Sequence, residues 1–563
     1  MSRLIVGIDF GTSTTVVRAC IEGDDNVYSV KHKESSVIPT LMFDTEDGKR
    51  LYGKEAEDYH VNGYKGTLIS NFKMGLASAD AARKEKAKNY IKDYLHFIHD
   101  LFAEQKHQFP AYQDMKVRVS YPAKWTNDMA EFMISAVKEA GFGSQVDGMT
   151  EPEAASCYSL KKRMCELMGR DIVHVGRKAN VMMLDMGAGT SDISIFQVSV
   201  GRQGDIFLDN VLSYPSVSEP NSCGGREIDR ILSAYICKRL DIPEKLFSPS
   251  SAKQWKESIV SRSLADNVPV TNAPSNVSTV MSMLGKDDKL NGFVFSRSLF
   301  EAETTTHWEN LYRIVCDAFK QYRKAPNTPD IGPEDIDLVL LTGGHSQWYC
   351  VEELLMGRGV NGYIGTDYRD HNGQAHKALD FRKIKQDKGR FIREALPHET
   401  VAAGLCLKDA TVKIEALATN NVWGQLLVND VKGEIFPIMK VGEKLPVMKT
   451  VSPSVPITLR LNNECFDVFF KLYYGETLET AVDEHARIVF DGRMFLIDLL
   501  GSLLLIGWMS NDYKVEVETT ITLEENGTID FKGVAKLYDM DSKGKLKKSL
   551  EFSKGDNKSA SIY

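Results

Sequence analysis

The sequence predicts a mixed α/β domain built twice on one plan, followed by a separate all-β domain. Two hairpin signatures and one change of periodicity carry that expectation. In residues 181–196 an apolar run ends in Asp185, turns on Gly187, Ala188, Gly189 and Thr190, and leaves with Ile193 and Ile195 alternating against Asp192 and Ser194. An apolar run, a turn of small residues and a period of two describe a β-hairpin. The start of the chain follows the same order: apolar Leu4, Ile5, Val6 and Ile8, then Asp9, Gly11, the hydroxyl residues Thr12, Ser13 and Thr14, then Val16 and Val17. From about residue 411 helical spacing gives way to alternating segments.

Each hairpin turn gathers backbone N–H groups in a small concavity, which suits phosphate, and carries carboxylates, which suit the magnesium that travels with phosphate. One such hairpin is an ordinary Gly-rich turn as readily as a ligand site. Two of them, far apart in one chain, point to a duplicated nucleotide-binding core that holds phosphate between its halves. The pair resembles the phosphate-binding hairpins of the actin, sugar-kinase and heat-shock ATPase superfamily.

With 563 residues the chain has material for several hydrophobic cores. A composition of 43% hydrophobic and 26% charged residues argues against disorder, and a net charge of -8 against a nucleic-acid partner. The nine cysteines form no C-x-x-C pair and no zinc spacing, as expected of reduced thiols. The most apolar segment, 494–509, contains Asp498 and is too short to span a bilayer. With a strand at the very start in place of a signal peptide, the expectation is a cytoplasmic protein without a membrane partner.

Along the chain, residues 36–43 continue as strand, and Lys73 follows in Phe72-Lys73-Met74-Gly75-Leu76. Most lysines are solvated; the hairpins around this one add a second reading, a cation for a terminal phosphate. Residues 115–121 form a strand stopped by Pro122, and Met129, Phe132, Met133, Ala136, Val137 and Ala140 give the next helix an apolar core stripe. Glu151-Pro152-Glu153-Ala154-Ala155 opens a helix with proline in its first turn. Glu151 there either complements the helix dipole or positions water for hydrolysis. Gly224 and Gly225 open a further helix, as a plain loop pair or as a close approach to phosphate. Residues 256–264, with Glu257 and Arg262, read as helix, 268–292 as a loop and hairpin, and 295–322 as a long amphipathic helical region beginning at Ser296-Arg297-Ser298. The buried strand 337–342 ends in Gly343 and Gly344, where a base and ribose can lie against backbone, with His345 and Gln347 beyond. Residues 357–395 read as a charged, glycine-rich insertion, and 397–404 as the start of a small-residue helix.

Strands are then expected at 455–461, 467–473, 514–523 and 528–537, with Glu525-Asn526-Gly527 as a hairpin turn. The domain limits that follow are 1–408 for the α/β part, 409–420 for a linker, 421–555 for a β-sandwich and 556–563 for a tail.

In this order the signals resemble the seventy-kilodalton heat-shock protein (DnaK-type) chaperone family along nearly the whole chain. Residues 7–13 resemble its first phosphate loop, 184–192 the second, 151–155 the first connecting helix, Gly343-Gly344 the adenosine loop, and 399–404 the second connecting helix. The β domain, with Asp491-Gly492-Arg493-Met494 and the segments 515–517 and 525–529, is similar to the family's substrate-binding sandwich, which actins and sugar kinases lack. The resemblance implies a two-lobed actin-like (ribonuclease-H-like, duplicated) ATPase domain that takes ATP or ADP with Mg2+, and K+ as an additional candidate cation. It implies a client polypeptide on the β domain, and J-domain or exchange-factor partners. By the same match Lys73, Glu151, Asp185 and Thr190 carry hydrolysis, and Asp9, Asp185 and Asp192 hold the metal. Gly11, Thr12, Ser13, Thr14, Gly187, Ala188, Gly189, Thr190, Gly224, Gly225, Glu257, Gly343, Gly344, His345 and Gln347 contact the nucleotide.

The chain departs from the family pattern at several points. Ala188 replaces a loop glycine, His345 and Gln347 stand where Ser and Arg are usual, and Val260 and Ser261 stand where a Lys-Arg pair is usual. Sliding that last match by one residue recovers Arg262 and loses Glu257. The linker lacks the acidic, leucine-rich signature, and no helical lid is expected after the sandwich. The apolar segment 499–508 reads as sandwich core or as a sticky client surface, with core the leading expectation. The leading expectation is an ATP-dependent chaperone-like protein. The rivals are a non-switching, nucleotide-stabilised adaptor for one partner, an actin-like filament protein and, least of all, a small-molecule kinase.

Overall fold

The computed structural model describes residues 2–24, 26–123, 125, 127–201, 204–214, 223–325, 328–369, 375–407, 412–414, 422–428, 433–439, 443–459, 467–475, 487–495, 511–524, 529–540, 543–554 and 560–562. The chain divides into two compact units, Met1–Arg323 with Pro329–Glu415, and Lys324–Thr328 with Ala416–Tyr563.

In the first unit β1 (Arg3–Phe10) and β2 (Thr14–Ile21) pair as an antiparallel hairpin, from Leu4 opposite Ile21 to Phe10 opposite Thr15. β3 (Tyr28–Ser29) and β4 (Val37–Pro39) add to the outer edge of β2. A small three-stranded sheet follows from β5 (Leu41–Thr45), β6 (Arg50–Tyr52) and β7 (Gly66–Ser70), with α1 (Gly53–Val61) between the last two. The Asp80 side chain caps α2 (Ala81–Glu104) by accepting from the N–H groups of Ala82 and Arg83. β8 (Asp114–Tyr121) lies parallel to β1, and after α3 (Asn127–Val137) β9 (Val146–Thr150) lies parallel to β8. Leu4, Val6 and Ile8 pack with Ile91, Tyr94 and Leu95 of α2 and with Met133 and Val137 of α3. Packing on both faces is why the inner strands read as nearly continuous apolar runs.

The second half repeats this plan. After α4 (Glu151–Gly169) come the hairpin β10 (Ala179–Met186) and β11 (Ser191–Val200), and β12 (Ile206–Tyr214) at the outer edge of β11. A helical stretch holds α5 (Gly225–Leu240), α6 (Pro249–Trp255), a π-helical turn (Lys256–Val260), α7 (Ser261–Ala265), α8 (Ser275–Met283), α9 (Arg297–Glu303) and α10 (Thr305–Lys324). β13 (Leu338–Thr342) then lies parallel to β10. Next come α11 (Tyr349–Leu355), the ribbon β14 (Tyr368–Arg369) and β15 (Ala375–His376), and α12 (Arg382–Gln386). β16 (Phe391–Arg393) lies parallel to β13, α13 (Thr400–Leu407) follows, and β17 (Val412–Ile414) lies parallel to β12. The orders β2-β1-β8-β9 and β11-β10-β13-β16 are one topology used twice.

The structure departs from these expectations at several points. Residues 268–292 form no hairpin; Val277 and Met281, one helical turn apart and buried, anchor α8 in a stretch whose polar composition concealed it. The region 295–322 is helical as read, in two helices that meet at Thr304, whose Oγ1 donates to Phe300 O and accepts from Trp308 Nε1 at 2.8 Å. Side-chain bonds of this kind compete with the helical ladder. Within 357–395, Phe391–Arg393 is a strand of the main sheet, too short to carry a period of its own. Val412–Ile414, inside the stretch read as linker, is an edge strand of the second sheet. The remainder of 409–420 lies outside the described residues, as do 499–508, the turn 525–527 and most of 556–563.

α13 sits at the centre of the unit, with all eight residues buried. It is pressed between α4 and β1 at two glycines. A Cβ on Gly404 would lie 1.7 Å from Ala154 O, and one on Gly7 would lie 2.2 Å from Ala402 O.

In the second unit the regular elements among the described residues of 416–563 are all strands. β18 (Val422–Val428), β19 (Gly433–Met439), β22 (Asp467–Gly475), β23 (Arg487–Phe495) and β27 (Ala560–Ile562) form one sheet in the order β19-β18-β22-β23-β27. β20 (Val447–Val451), β21 (Ser454–Leu459), β24 (Asn511–Leu523), β25 (Ile529–Asp539) and β26 (Lys545–Ser553) form the other. Ile438, Met439 and Leu472 of the first sheet share one core with Val515, Val517, Ile521, Phe531 and Leu537 of the second, so the sheets stack as a sandwich. Among the described residues no helix is long and apolar enough to cross a membrane.

Candidate functional site

Both α/β hairpins close in the same way. Gly11 N–H donates to Thr14 O and Gly187 N–H to Thr190 O, each at 2.9 Å, which leaves Thr12-Ser13 and Ala188-Gly189 as the two tips. No residue from 11 to 14 or from 187 to 190 has a positive φ, so Ala188 sits in its turn without strain. Glycine is needed for room instead. A Cβ on Gly189 would lie 3.0 Å from Thr12 Oγ1, because the two tips face each other.

A cleft of about 540 Å³ opens at the tips, a size that suits a small-molecule ligand. Its walls include Asp9, Gly11, Thr12, Ser13 and Thr14 from the first hairpin, and Asp185, Gly187, Ala188, Gly189 and Thr190 from the second. Lys73, Glu151, Gly225, Glu257, Gly343, Gly344, His345 and Gln347 complete the part that the sequence proposed. Gly224 and Asp192 do not line it. Gly224 caps α5 where a Cβ would lie 2.5 Å from Ala188 O, and Asp192 stands opposite Asp185 in the hairpin register.

Acid groups converge at the floor. Asp9 and Asp185 occupy equivalent positions of their hairpins, two residues before the glycine that closes each turn. Asp9 Oδ1 accepts from Ser120 Oγ at 2.7 Å. Burial, with Glu151 nearby, pushes the Asp9 carboxyl up to about 7, against the opposing pull of Lys73 and Ser120. Asp185 is raised well above the usual carboxylate range by burial first, then by Glu151, Asp192 and Asp9. Carboxylates buried together favour either a proton or a cation. Among the described residues no three His, Cys, Asp or Glu side chains gather closely enough to ligate a metal directly. Asp9 and Asp185, with Glu151 beside them, are oxygen donors of the kind that suits a hydrated divalent ion gripped through its waters, the habit of Mg2+.

A carboxyl raised in the folded chain keeps a proton that the unfolded chain has released, so its stabilising contribution is present at low pH and lost as pH rises through the folded value. Thermal melts without divalent cation should show Tm falling as pH rises from about 4 towards 7, the window between the ordinary and folded values for Asp9. Asp9→Asn should flatten that fall, and added Mg2+ should raise Tm most at the upper end. A Tm indifferent to both would contradict this reading of the acid centre.

Lys73 is a buried cation of the site, 2% exposed. Its Nζ lies 2.8 Å from Glu151 Oε1 and 2.5 Å from Phe10 O, with the Trp125 ring centre at 5.1 Å. The lysine is aimed by a 3-10 turn, Phe72–Ala77, that begins after left-handed Asn71. Glu151 is the first residue of α4, so the packing of α4 on α13 sets its position.

On the opposite wall the glycines act differently from expectation. Gly343 has φ 77° and a Cβ there would lie 2.2 Å from Met186 O, so contact with β10 demands glycine before any ligand does. The first N–H groups of α5 are also committed: Gly225 N donates to Gly187 O and Arg226 N to Ala188 O, both at 3.0 Å. Lys253, Lys256 and Asp229, which sequence reasoning missed, also line the cleft. Lys256 Nζ lies 2.6 Å from Asp229 Oδ1 and 3.3 Å from Gly225 O. The i, i+3, i+4 spacing of Lys253, Lys256 and Glu257 was the available signal. The π turn here carries one extra residue, which brings both Glu257 and Ser261 to the cleft and leaves Val260 buried.

No family model matches the chain. Chaperone protein DnaK of Thermotoga neapolitana is 22% identical over 543 residues, covering 94% of this chain and 77% of that protein. DnaK of Thermotoga maritima is similar to the same degree and extent. The HscA homolog of Rickettsia typhi is 23% identical over 285 residues, covering 47% of this chain and 43% of that chaperone. The chain is thus similar to DnaK-type chaperones of the seventy-kilodalton heat-shock family along nearly its whole length.

Proposed function

We propose that this protein is a DnaK-like chaperone in which binding and hydrolysis of Mg-ATP in the α/β cleft are coupled to capture of a client polypeptide by the β-sandwich. In this reading residues 1–408 are a two-lobed, actin-like ATPase domain, 421–555 the client-binding domain, and J-domain or exchange-factor proteins its regulators. The observation that carries it is the buried Lys73–Glu151 pair, 2.8 Å apart, beside two acids at equivalent positions of the facing hairpins.

The chemistry asked of the site is positioning and charge neutralisation, with no covalent intermediate. A hydrated Mg2+ held by Asp9 and Asp185, with Asp192 behind them, would neutralise phosphate charge. Lys73 supplies a dry, fixed positive charge for the terminal phosphate. Glu151, held at the first turn of α4, orients the attacking water, and Thr190 Oγ1, which donates to Asp192 Oδ2 at 3.2 Å, stands beside that path. Because a ligand shifts an equilibrium only by its differential affinity, coupling requires ATP to favour one arrangement of the two domains.

Single-turnover ATP hydrolysis with and without an unfolded peptide tests this. Glu151→Ala should slow hydrolysis about a hundredfold while nucleotide still binds, and peptide should change the wild-type rate. Hydrolysis blind to peptide, or binding without hydrolysis, would favour the adaptor reading instead.

A further inference from the structure

Three polar side chains run in a line from the first turn of α5 to the cleft wall. Glu227 Oε2 lies 2.8 Å from His307 Nδ1, and His307 Nε2 lies 2.8 Å from His345 Nε2. His307 on α10 is completely buried, and His345, in the turn after β13, is 5% exposed and lines the cleft. The remaining ring nitrogen, His345 Nδ1, is buried and has no hydrogen-bond partner within the protein.

The protons in this line are determined from one end. A carboxylate accepts and cannot donate, so His307 carries its proton on Nδ1. A neutral imidazole has a single N–H, so His307 Nε2 accepts, and His345 must donate from Nε2. His345 Nδ1 is thereby left as a bare lone pair. Burial lowers both imidazoles below their ordinary range, His345 well below, with His307 and Lys256 adding to the effect, so neither becomes a second donor near neutral pH. The ring is held in place: the Trp308 indole is nearly parallel to His345, at 9°, and edge-on to His307, at 85°. Lys256, whose charge acts on His345, is committed to Asp229 and Gly225 O. Gly225, also in the cleft wall, is the glycine beside Nδ1, where a Cβ would lie 3.4 Å from it.

We propose that the Glu227–His307–His345 line is a specificity device: it presents His345 Nδ1 as an obligate acceptor that selects a nucleotide whose nucleoside offers an N–H or O–H donor at that point. The inference rests on the nucleotide reading of the cleft. His345 is the ligand-contacting residue; His307 and Glu227 are positioning residues that fix its tautomer. Buried acceptors without partners are exceptions in folded proteins, and a ligand donor would supply the missing bond on binding. The donor is either the exocyclic amine of adenine or a ribose hydroxyl, and analogues separate the two.

The test is calorimetric binding of ADP, IDP, 2′-deoxy-ADP and 3′-deoxy-ADP to the full chain. Wild type should bind one of the three analogues about ten- to a hundredfold more weakly than ADP. His345→Phe should lose the same factor for ADP and cease to discriminate against that analogue. His307→Leu should also relax discrimination, whereas His307→Gln, whose amide can accept from His345 and donate to Glu227, should keep it. Ring 15N NMR of the wild type needs no variant: an unprotonated Nδ1 on His345 should be visible without ligand and should shift with ADP. Equal binding of all four nucleotides, unchanged discrimination in a folded His345→Phe, or a protonated Nδ1 would overturn the proposal while leaving the nucleotide reading intact. Failure of every adenosine nucleotide to bind wild type would remove both.

Discussion

Lys73→Ala should lower single-turnover ATP hydrolysis about a thousandfold, the largest catalytic loss expected of any substitution in the cleft. Two effects add. The ammonium is dry, 2% exposed, so its charge acts with little screening on whatever anion the hairpin tips hold. It also offsets Asp9, Asp185 and Glu151, and its removal leaves those acids without the group that pulls the Asp9 and Asp185 carboxyls down. Lys73→Arg should not restore the rate, because Phe10 O, Glu151 and the Trp125 ring confine the present side chain and a planar fork is a poor substitute for a point charge. Rapid-quench measurement at saturating ATP checks both variants, and a rate within threefold of wild type for Lys73→Ala would remove the lysine from the chemistry.

The largest loss of stability is expected at Gly404. A Cβ placed there would lie 1.7 Å from Ala154 O, in the middle of the contact between α13 and α4. Neither helix can yield easily: α13 is buried on every side, and it is equally tight against β1 at Gly7. Gly404→Val should therefore cost at least about 3 kcal/mol, by the overpacking mechanism, or leave no soluble protein. Gly169→Ala is the matched control. It lies at the far end of α4 with nothing within 4 Å of its Cβ position, and should be neutral or slightly stabilising by about 0.5 kcal/mol. Denaturant melts of both variants decide the point. Because α4 carries Glu151 at its first residue, a milder variant such as Gly404→Ala, if it folds, should also slow hydrolysis.

Much of the architecture was legible because it is written in local patterns. The two hairpins declare themselves by apolar strands, small-residue turns and a following alternation, and the repetition of Asp9-Phe10-Gly11 as Asp185-Met186-Gly187 discloses the duplicated sheet plan. The sandwich strands declare themselves by period two. What was lost was short or anchored from a distance: the three residues of β16 gain strand character only from β13 alongside, and α8 is held by two buried side chains in a polar stretch. The helix break at Thr304 depends on Trp308 reaching back to its hydroxyl, which no propensity reveals.

By itself, then, the sequence determined which segments are strands and helices and which small set of acids, glycines and a lysine belongs to the hairpins, since periodicity and turn chemistry act within a few residues. Only the tertiary structure decided what those residues do to one another. It brought Lys73 to Glu151 across 78 positions and His307 to His345 across 38. It showed that Gly343 and Gly404 serve backbone contacts with Met186 and Ala154, and that the α5 N–H groups are already bound to the second hairpin. Burial, desolvation and the direction of a hydrogen bond are properties of such long-range neighbours, and a linear pattern contains no record of them.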